Sequence, residues 1–529
     1  MHSRTASPRA NQTIERNASL PRLLAGRYLC VAANRGPVHY HLEADRLRSA
    51  RAAGGLVTAL TDIAGYAPMT WVATASGPGD RLVAGHPPPG VAAPGVPRLR
   101  FVVASEESLN WFYRRFANPI LWFLQHGMWD LIRRPDIVDM MEKGWMLGYR
   151  PVNEAFARVI EQEVRGEPRP VILTHDYHLY LLPGLLRKRV PAALLQHFTH
   201  IPWPGPRVWE PILPAIRRGL CRGLLGADVA GFQTELSAAN FLRCCERFVP
   251  EAQVDQTQGE VWLEGRSTRV RAYPISIDPT SLRRLASSPE TLQYRERLRP
   301  LLGQPTIVRV DRLDPSKNVI LGFRAYGLLL ERRPDLLGRV RFLAFLVPSR
   351  QSIAEYRLYA QEMWREVETV NNRFGREGWK PIEVFYEDNR SQAIAGMALA
   401  DVLLVNPVAD GMNLVAKEGP IVSERDMVLV LSRECGAHTQ LGLATVSIPP
   451  RDLEATARAL EKALEMPALE RSRRLTSLRA AIEAEDLSRW MFHLLKDLLG
   501  RASSRAPGGR GLNYETNEEF RPCPGVNRP

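Results

Sequence analysis

The feature that most constrains this chain is a repeated alternation. Short, continuous apolar runs are separated by long polar or amphipathic stretches. YLCVAA (28–33), VILT (171–174), ALLQHF (193–198) and VAGF (229–232) form a first series. TIVRV (306–310), RFLAFLV (341–347), IEVFY (382–386), DVLLV (401–405) and MVLVLS (427–432) form a second. A strand covering one core alternates apolar and polar residues. A continuous run is apolar on both faces, as in a parallel sheet clad by helices. Helical periodicity fills segments such as 351–375 and 453–465 between the runs. The pattern predicts an α/β protein with two doubly wound, Rossmann-like sheets. A chain of 529 residues also exceeds one core, which stops growing near roughly 250–300 residues.

The domain division follows. Residues 1–26 are polar and without period, and are expected to be disordered. Residues 27–278 form an N-terminal domain and 279–483 a C-terminal one, with YPISID (273–278) at the join. Residues 484–500 read as a last amphipathic helix, with Asp486 as its N-cap, expected to return to the N-terminal domain. Residues 501–529, rich in Gly, Pro and Arg, read as a disordered tail.

Composition narrows the function. Hydrophobic residues make up 45% and charged residues 24%, which suits a globular protein. No run approaches the roughly 18 apolar residues of a membrane span. The N-terminus lacks the apolar block of a secretory signal, so a cytoplasmic location is expected, without a membrane partner. The net charge is +13, and arginine supplies 63 of the 70 basic residues. Arginine forks onto phosphate and carboxylate groups. The charge is scattered rather than clustered, which argues for small anionic substrates and against nucleic acid. The six cysteines show no CxxC or zinc spacing, and read as reduced thiols.

Ligands of open α/β sheets sit beyond the C-terminal strand ends. There the chain places Asn34 and Arg35, His175 to His178, Thr199 to Trp203, Asp311 to Lys317, Pro348 to Arg350, and Asn406 to Glu418. Both halves contribute, so the site is expected in the interdomain cleft. In VRVDRLDPSKN (308–318), Arg312 and Lys317 suit a pyrophosphate whose charge grows as a bond breaks; the bland reading is a loop paired with Asp311 and Asp314. In LLVNPVADGMNLVAKEG (403–419), a strand leads through Gly411 to a helix opening near Asn413, an anion site by its free N–H groups. His175 and His178 have no third metal ligand nearby, so packing and orienting roles are favoured. Gly54–Gly55 offers a second diphosphate cradle. No Walker loop, HExxH, GxSxG or Asp-x-Asp motif occurs, no nucleophile–base pair stands out, and no metal site is expected.

The blocks AANRGP, AAGGL, WFYRRFANPILW, HDYHL, HFTHIPWPGP, GFQTE, YPISID, DRLDPSK, PSR, GREGWKP and DGMNLVAKE occur in that order over about 28–498. Together they resemble the trehalose-6-phosphate synthases, retaining glycosyltransferases of the GT-B architecture. The resemblance implies transfer of glucose from a nucleotide sugar, UDP-glucose or similar, to glucose 6-phosphate, giving trehalose 6-phosphate. It implies no cofactor besides the nucleotide-sugar co-substrate, and leaves a homo-oligomer open. It carries donor binding onto Gly55, Arg312, Lys317, Asp410, Gly411, Met412, Asn413, Leu414, Val415 and Glu418, with Arg312 and Lys317 on the diphosphate. It carries acceptor binding onto Arg35, Tyr113, Trp122, Asp176 and Arg350, and lines the reacting sugars with Asp176 and His200. Arg312, Lys317, Asp176 and His200 are the catalytic candidates.

The chain departs from the family pattern at Thr74, which stands where a second tryptophan is usual, at Pro315, where an aromatic is usual, and at Asn318, where a glycine is usual. The segment GPIVSERD (419–426) and LSRECGA (431–437) are similar to pseudo-glycosyltransferases that build validoxylamine phosphate. These departures keep a glycerol 3-phosphate or cyclitol phosphate acceptor in view, and less so nucleotide-sugar 2-epimerisation.

Overall fold

The computed structural model describes residues 20–43, 46–51, 57, 60, 65, 67–85, 97–132 and 135–503. The N-terminal half builds β1 (Leu29–Ala32), the hairpin β2 (Val38–Glu43) and β3 (Arg46–Arg51), β4 (Met69–Thr74), β5 (Arg98–Val102), β6 (Val171–His175), β7 (Leu194–Thr199), β8 (Val229–Phe232), β9 (Gln253–Asp255), β10 (Glu260–Leu263) and β11 (Arg266–Ala272). Apart from the hairpin, these form one nine-stranded sheet in the order β5-β4-β1-β6-β7-β8-β11-β10-β9. It is parallel from β5 to β11, and antiparallel only where β10 and β9 extend the edge.

The C-terminal half builds β12 (Thr306–Arg312), β13 (Arg341–Val347), β14 (Ile382–Phe385), β15 (Val402–Val405), β16 (Val428–Ser432) and β17 (Val446–Ile448). They form an all-parallel sheet in the order β14-β13-β12-β15-β16-β17. Two doubly wound sheets are the fold class that the apolar runs predict.

The continuity of those runs has a visible cause. In β1, Leu29 and Val31 enter one core, while Cys30 and Ala32 enter the core on the opposite face. Both faces of the pleat are buried, so apolar residues are favoured at every position. The runs missed β4, which is buried along its whole length but has its apolar stretch bounded by threonines; the other missed strands are not buried on both faces or are very short. β9 to β11 close one side of the sheet and carry charged residues at half-exposed positions, with arginines on β11, and β17 has three residues.

Two stretches near the ends of the described residues depart from the expected bounds. Residues 20–24 are helical, with Leu20 and Leu24 buried, because apolar residues recur there at helical spacing. The last helix spans Leu487–Ser503, starting and ending three residues later than read. Asp486 accepts the Arg489 N–H at 2.9 Å, as an N-cap does. The helix lies on the N-terminal sheet: Trp490 meets Phe198 edge-on, and Arg501 pairs with Glu260. It also grips the crossover between domains. Trp490 Nε1 donates to the Tyr273 carbonyl at 3.1 Å, and the Tyr273 hydroxyl donates to Asp497 at 2.7 Å. No helix among the described residues is long and apolar enough to cross a membrane. Among the described residues, five cysteines are free and buried, Cys244 and Cys245 on the helix Glu235–Phe248.

Candidate active site

The candidate residues gather at the C-terminal ends of both sheets. Arg35 follows β1, Asp176 follows β6 and His200 follows β7. Arg312 ends β12, Lys317 lies in the turn after it, Arg350 follows β13, and Asp410 to Leu414 follow β15. Gly55 and the adjoining Gly54 lie outside the described residues. Among the described residues, five non-glycines have positive φ: Asp176, Glu264, Asn318, Arg350 and Asn413. All but Glu264 are at these strand ends. Such strain persists where the surroundings enforce it, and it concentrates at functional sites.

Asp314 is the hub of the cleft and is fully buried. Its Oδ2 takes Arg350 Nη1 at 2.7 Å and the Tyr356 hydroxyl at 3.0 Å. Its Oδ1 takes the Ser316 N–H at 3.1 Å, the Ser316 hydroxyl at 3.0 Å and Trp122 Nε1 at 3.3 Å. Burial pushes this carboxyl up, but Arg350 and Arg312 outweigh it and hold it below the usual range. Arg350 stacks over the Trp122 ring at 4.0 Å and donates to the Tyr177 hydroxyl at 3.0 Å. Tyr177 in turn donates to Asn118 at 2.6 Å.

This arrangement corrects two expectations. The resemblance makes Trp122 and Arg350 acceptor ligands; in the structure the Trp122 indole N–H and the Arg350 guanidinium are both engaged by Asp314. The side chain of Arg350 is 6% exposed. The pairing of Arg312 and Lys317 with Asp311 and Asp314 does not form either. Asp311 pairs with the buried Arg309 at 2.8 Å. Arg312 is exposed, 5.6 Å over Trp122, and Lys317 pairs with Asp410.

On the acceptor side, Arg35 is exposed and donates to the Tyr113 hydroxyl at 3.2 Å. Burial raises the Tyr113 phenol, but Arg350 and Arg35 pull it to a net lowered value. Both residues line a cavity of about 700 Å³ that spans the cleft, with Thr74 on one wall and Ser352 and Asp388 on another. His178 stacks on Tyr113 and packs on Tyr177, the orienting role favoured from sequence.

On the donor side, Asn413 Nδ2 donates to Asp410 Oδ2 at 3.1 Å, and Asn413 Oδ1 accepts the Ala416 N–H at 3.4 Å, near the start of the helix Val415–Val422. Glu418 is held by Arg390 at 3.1 Å. Met412 is buried and its carbonyl accepts the Ala437 N–H at 2.9 Å; Leu414 and Val415 are half-buried at the helix entry. Gly411 has a strict reason to be glycine. A Cβ there would stand 1.8 Å from the His200 carbonyl oxygen, across the cleft. Gly411→Ala is therefore expected to push the two walls apart and lower turnover by about 100-fold, the scale of a 1 Å misplacement, with circular dichroism unchanged. Near-parental turnover would refute the contact.

The departures sort by position. Asn318 sits at φ 58° and ψ 40°, where asparagine replaces glycine most readily, and Pro315 opens a short turn. Residues 424–426 bond away from the strand ends: Glu424 with Arg295, Arg425 with Asp401 just before β15, and the Asp426 carbonyl with Arg471. Cys435 to Ala437 brace the donor loop through bonds to Asp410 and Met412. Only Thr74, bonded to Asn34 at 3.0 Å, faces the acceptor cavity.

Asp176 and His200 meet between these halves. Asp176 Oδ1 accepts the His200 N–H at 3.2 Å. Burial raises the Asp176 carboxyl to about 6 against hydrogen bonds from Tyr177 and His200 that lower it, while burial lowers His200 to about 3. The acid limb of kcat/KM, which reports the free enzyme, is expected near pH 6. Activity rises as Asp176 ionises, and the limb should vanish in Asp176→Asn. The stability sign is opposite. A raised folded pKa means stability present below the unfolded value and lost as pH rises toward 6.

Sequence reasoning passed over Asp314, Tyr177, Tyr356 and Arg390. Asp314 was visible inside DRLDPSK only as a possible partner of Arg312 or Lys317. Tyr356 belongs to the amphipathic pattern of Ala354–Phe374, and nothing local marks its bond to Asp314 or its stacking on Phe123 of the other half.

The Glycosyltransferase family 20 profile matches residues 28–499, and the chain belongs to that family. It is 33% identical over 420 residues to a bifunctional trehalose-6-phosphate synthase/phosphatase of Thermoproteus tenax, covering 79% of this chain but 55% of that one. It thus spans about half the length of that relative. It is also 33% identical over 490 residues to a trehalose-6-phosphate synthase of Mycobacterium avium, covering 90% of this chain and 96% of that one. An E. coli structure bound with UDP-2-fluoro glucose superposes with a TM-score of 0.77 at 28% identity, over 89% of this chain and 99% of that one. An α,α-trehalose-phosphate synthase (UDP-forming) from Burkholderia xenovorans in complex with glucose-6-phosphate gives 0.76 at 30% identity, over 89% and 100%.

Proposed function

We propose that this glycosyltransferase moves glucose, with retention, from UDP-glucose or a similar nucleotide sugar to glucose 6-phosphate, forming trehalose 6-phosphate. The observation that carries the reading is cationic machinery on both walls of one cleft. Arg35 with Tyr113 opens onto the acceptor cavity. Arg312, Lys317 and the start of the helix Val415–Val422 stand on the donor wall. One set suits an acceptor phosphate, the other a leaving diphosphate. The sugar C1–O bond to the diphosphate breaks as the acceptor hydroxyl bonds to C1 on the same face. Its proton passes to the departing phosphate oxygen, so positioning and charge stabilisation are the protein's share. The reading calls on no resident cofactor. Asp176 and His200 line the sugars, and Arg350 acts through Asp314 and Tyr177 to shape the socket.

The test is initial rates of nucleotide release with glucose, glucose 6-phosphate and glycerol 3-phosphate. Glucose 6-phosphate should be strongly preferred. Arg35→Ala should raise its KM roughly 10- to 100-fold, the worth of one charged hydrogen bond, and leave the donor KM unchanged. Equal rates with glucose and glucose 6-phosphate would end the phosphate-socket assignment. A preference for glycerol 3-phosphate would keep the socket and change the product.

A further inference from the structure

Gln233, 2% exposed at the end of β8, belongs to no substrate set. Its amide orientation is nevertheless fixed by its neighbours. The Ile275 N–H, a donor only, lies 3.0 Å from one terminal atom, which must be the oxygen. The amide nitrogen therefore faces His200 Nδ1 at 3.3 Å. An amide NH₂ only donates, so Nδ1 must accept, and the ring proton of neutral His200 sits on Nε2. That Nε2–H lies 3.3 Å from His175 Nδ1. His175 in turn carries its proton on Nε2, an atom with no protein partner among the described residues.

The same line runs on into the donor wall. Ile275 lies in the crossover between the domains, and its carbonyl accepts Lys417 Nζ at 2.8 Å. Lys417 is buried in the helix Val415–Val422, one residue before Glu418. A single bonded chain thus links His175, His200, Gln233, Ile275 and the donor helix.

We propose that Gln233 is a positioning residue that locks His200 in the Nε2–H tautomer, with that N–H donated to His175, and ties the ring to the interdomain crossover, so that His200 keeps one fixed orientation beside the reacting sugars. The placement beside the sugars rests on the glucosyl-transfer reading; the tautomer does not. Partners that orient a site histidine decide which nitrogen is available, and losing one typically costs 10- to 100-fold.

The test uses the full chain with ¹⁵N-labelled histidine. The His200 signals, assigned by their loss in His200→Asn, should show a protonated Nε2 and a bare Nδ1 in the parent. Gln233→Glu keeps an acceptor for Ile275 and sets a second acceptor opposite Nδ1, so His200 should gain a proton on Nδ1. Its kcat should fall about 10- to 100-fold with the acceptor KM unchanged. On a His200→Ala background the same change should cost nothing further, since both act through one ring. A protonated Nδ1 in the parent, or an equal loss on the His200→Ala background, would overturn the proposal. A parent with the Nε2–H tautomer but no glucosyl transfer would refute the functional reading and leave the tautomer assignment standing.

Discussion

Lys317→Ala is expected to lower turnover by about 10²–10³, the usual loss when one preorganised donor to a developing charge is removed. The lysine ends the turn Pro315–Lys317 and pairs with Asp410, both side chains largely buried. On the proposed reaction, the charge of the departing diphosphate would compete with Asp410 for this ammonium. The substitution also leaves Asp410 without its cation, whose carboxyl is otherwise pushed up by burial and held down overall by Lys317. Stability should fall too. The two effects separate in Lys317→Ala/Asp410→Asn, which removes the stranded charge. Denaturant midpoints should recover, and turnover should not. Recovery of turnover in the double variant would show that Lys317 serves the fold rather than the leaving group.

Arg350→Ala has the second large effect, and it is mainly on stability. Removing one partner of a buried ion pair typically costs about 3–5 kcal/mol, because the other charge stays buried. Asp314 is at 0% exposure, so the condition is met. In the parent its folded pKa is depressed, so its contribution is present above the unfolded value and lost as pH falls through the folded one. Without Arg350 the carboxyl pKa should rise, and the deficit against the parent should shrink as pH is lowered from neutrality. Arg350→Ala/Asp314→Asn should regain much of the stability. Acceptor KM should rise in both variants, since Trp122 and Tyr177 lose the guanidinium that orders them. A deficit that stays constant with pH would contradict the Asp314 assignment. Arg35 gives the cleaner test of phosphate binding because it strands no buried acid.

Much of this was legible from the chain alone, for a definite reason. Parallel strands buried on both faces are mostly apolar at consecutive positions, and β1, β6, β7, β8, β12, β13, β15 and β16 follow that tendency, with buried polar groups such as Gln196, His197 and Arg309 as exceptions. β5 (RLRFV) and β9 to β11 carry charges at half-exposed positions, and gave no such signal. Site residues stood out because polar groups follow each strand directly. Their pairings did not. Trp122 meets Asp314 across 192 residues, and Arg350 reaches Tyr177 across 173. No local pattern encodes which cation meets which carboxylate, so Arg350 read as a free ligand when it is half of a buried pair. Backbone geometry was equally silent. Asn318 looked like a lost glycine until its φ of 58° showed that it keeps the conformation.

The central claim is that one cleft joins two glucosyl units with retention at the donor carbon. Proton NMR of a reaction with UDP-glucose and glucose 6-phosphate tests it most directly. The account predicts UDP and a single non-reducing disaccharide phosphate, α at both anomeric carbons. A β-configured product, hydrolysis to free glucose, or epimerised UDP-sugar without transfer would contradict it.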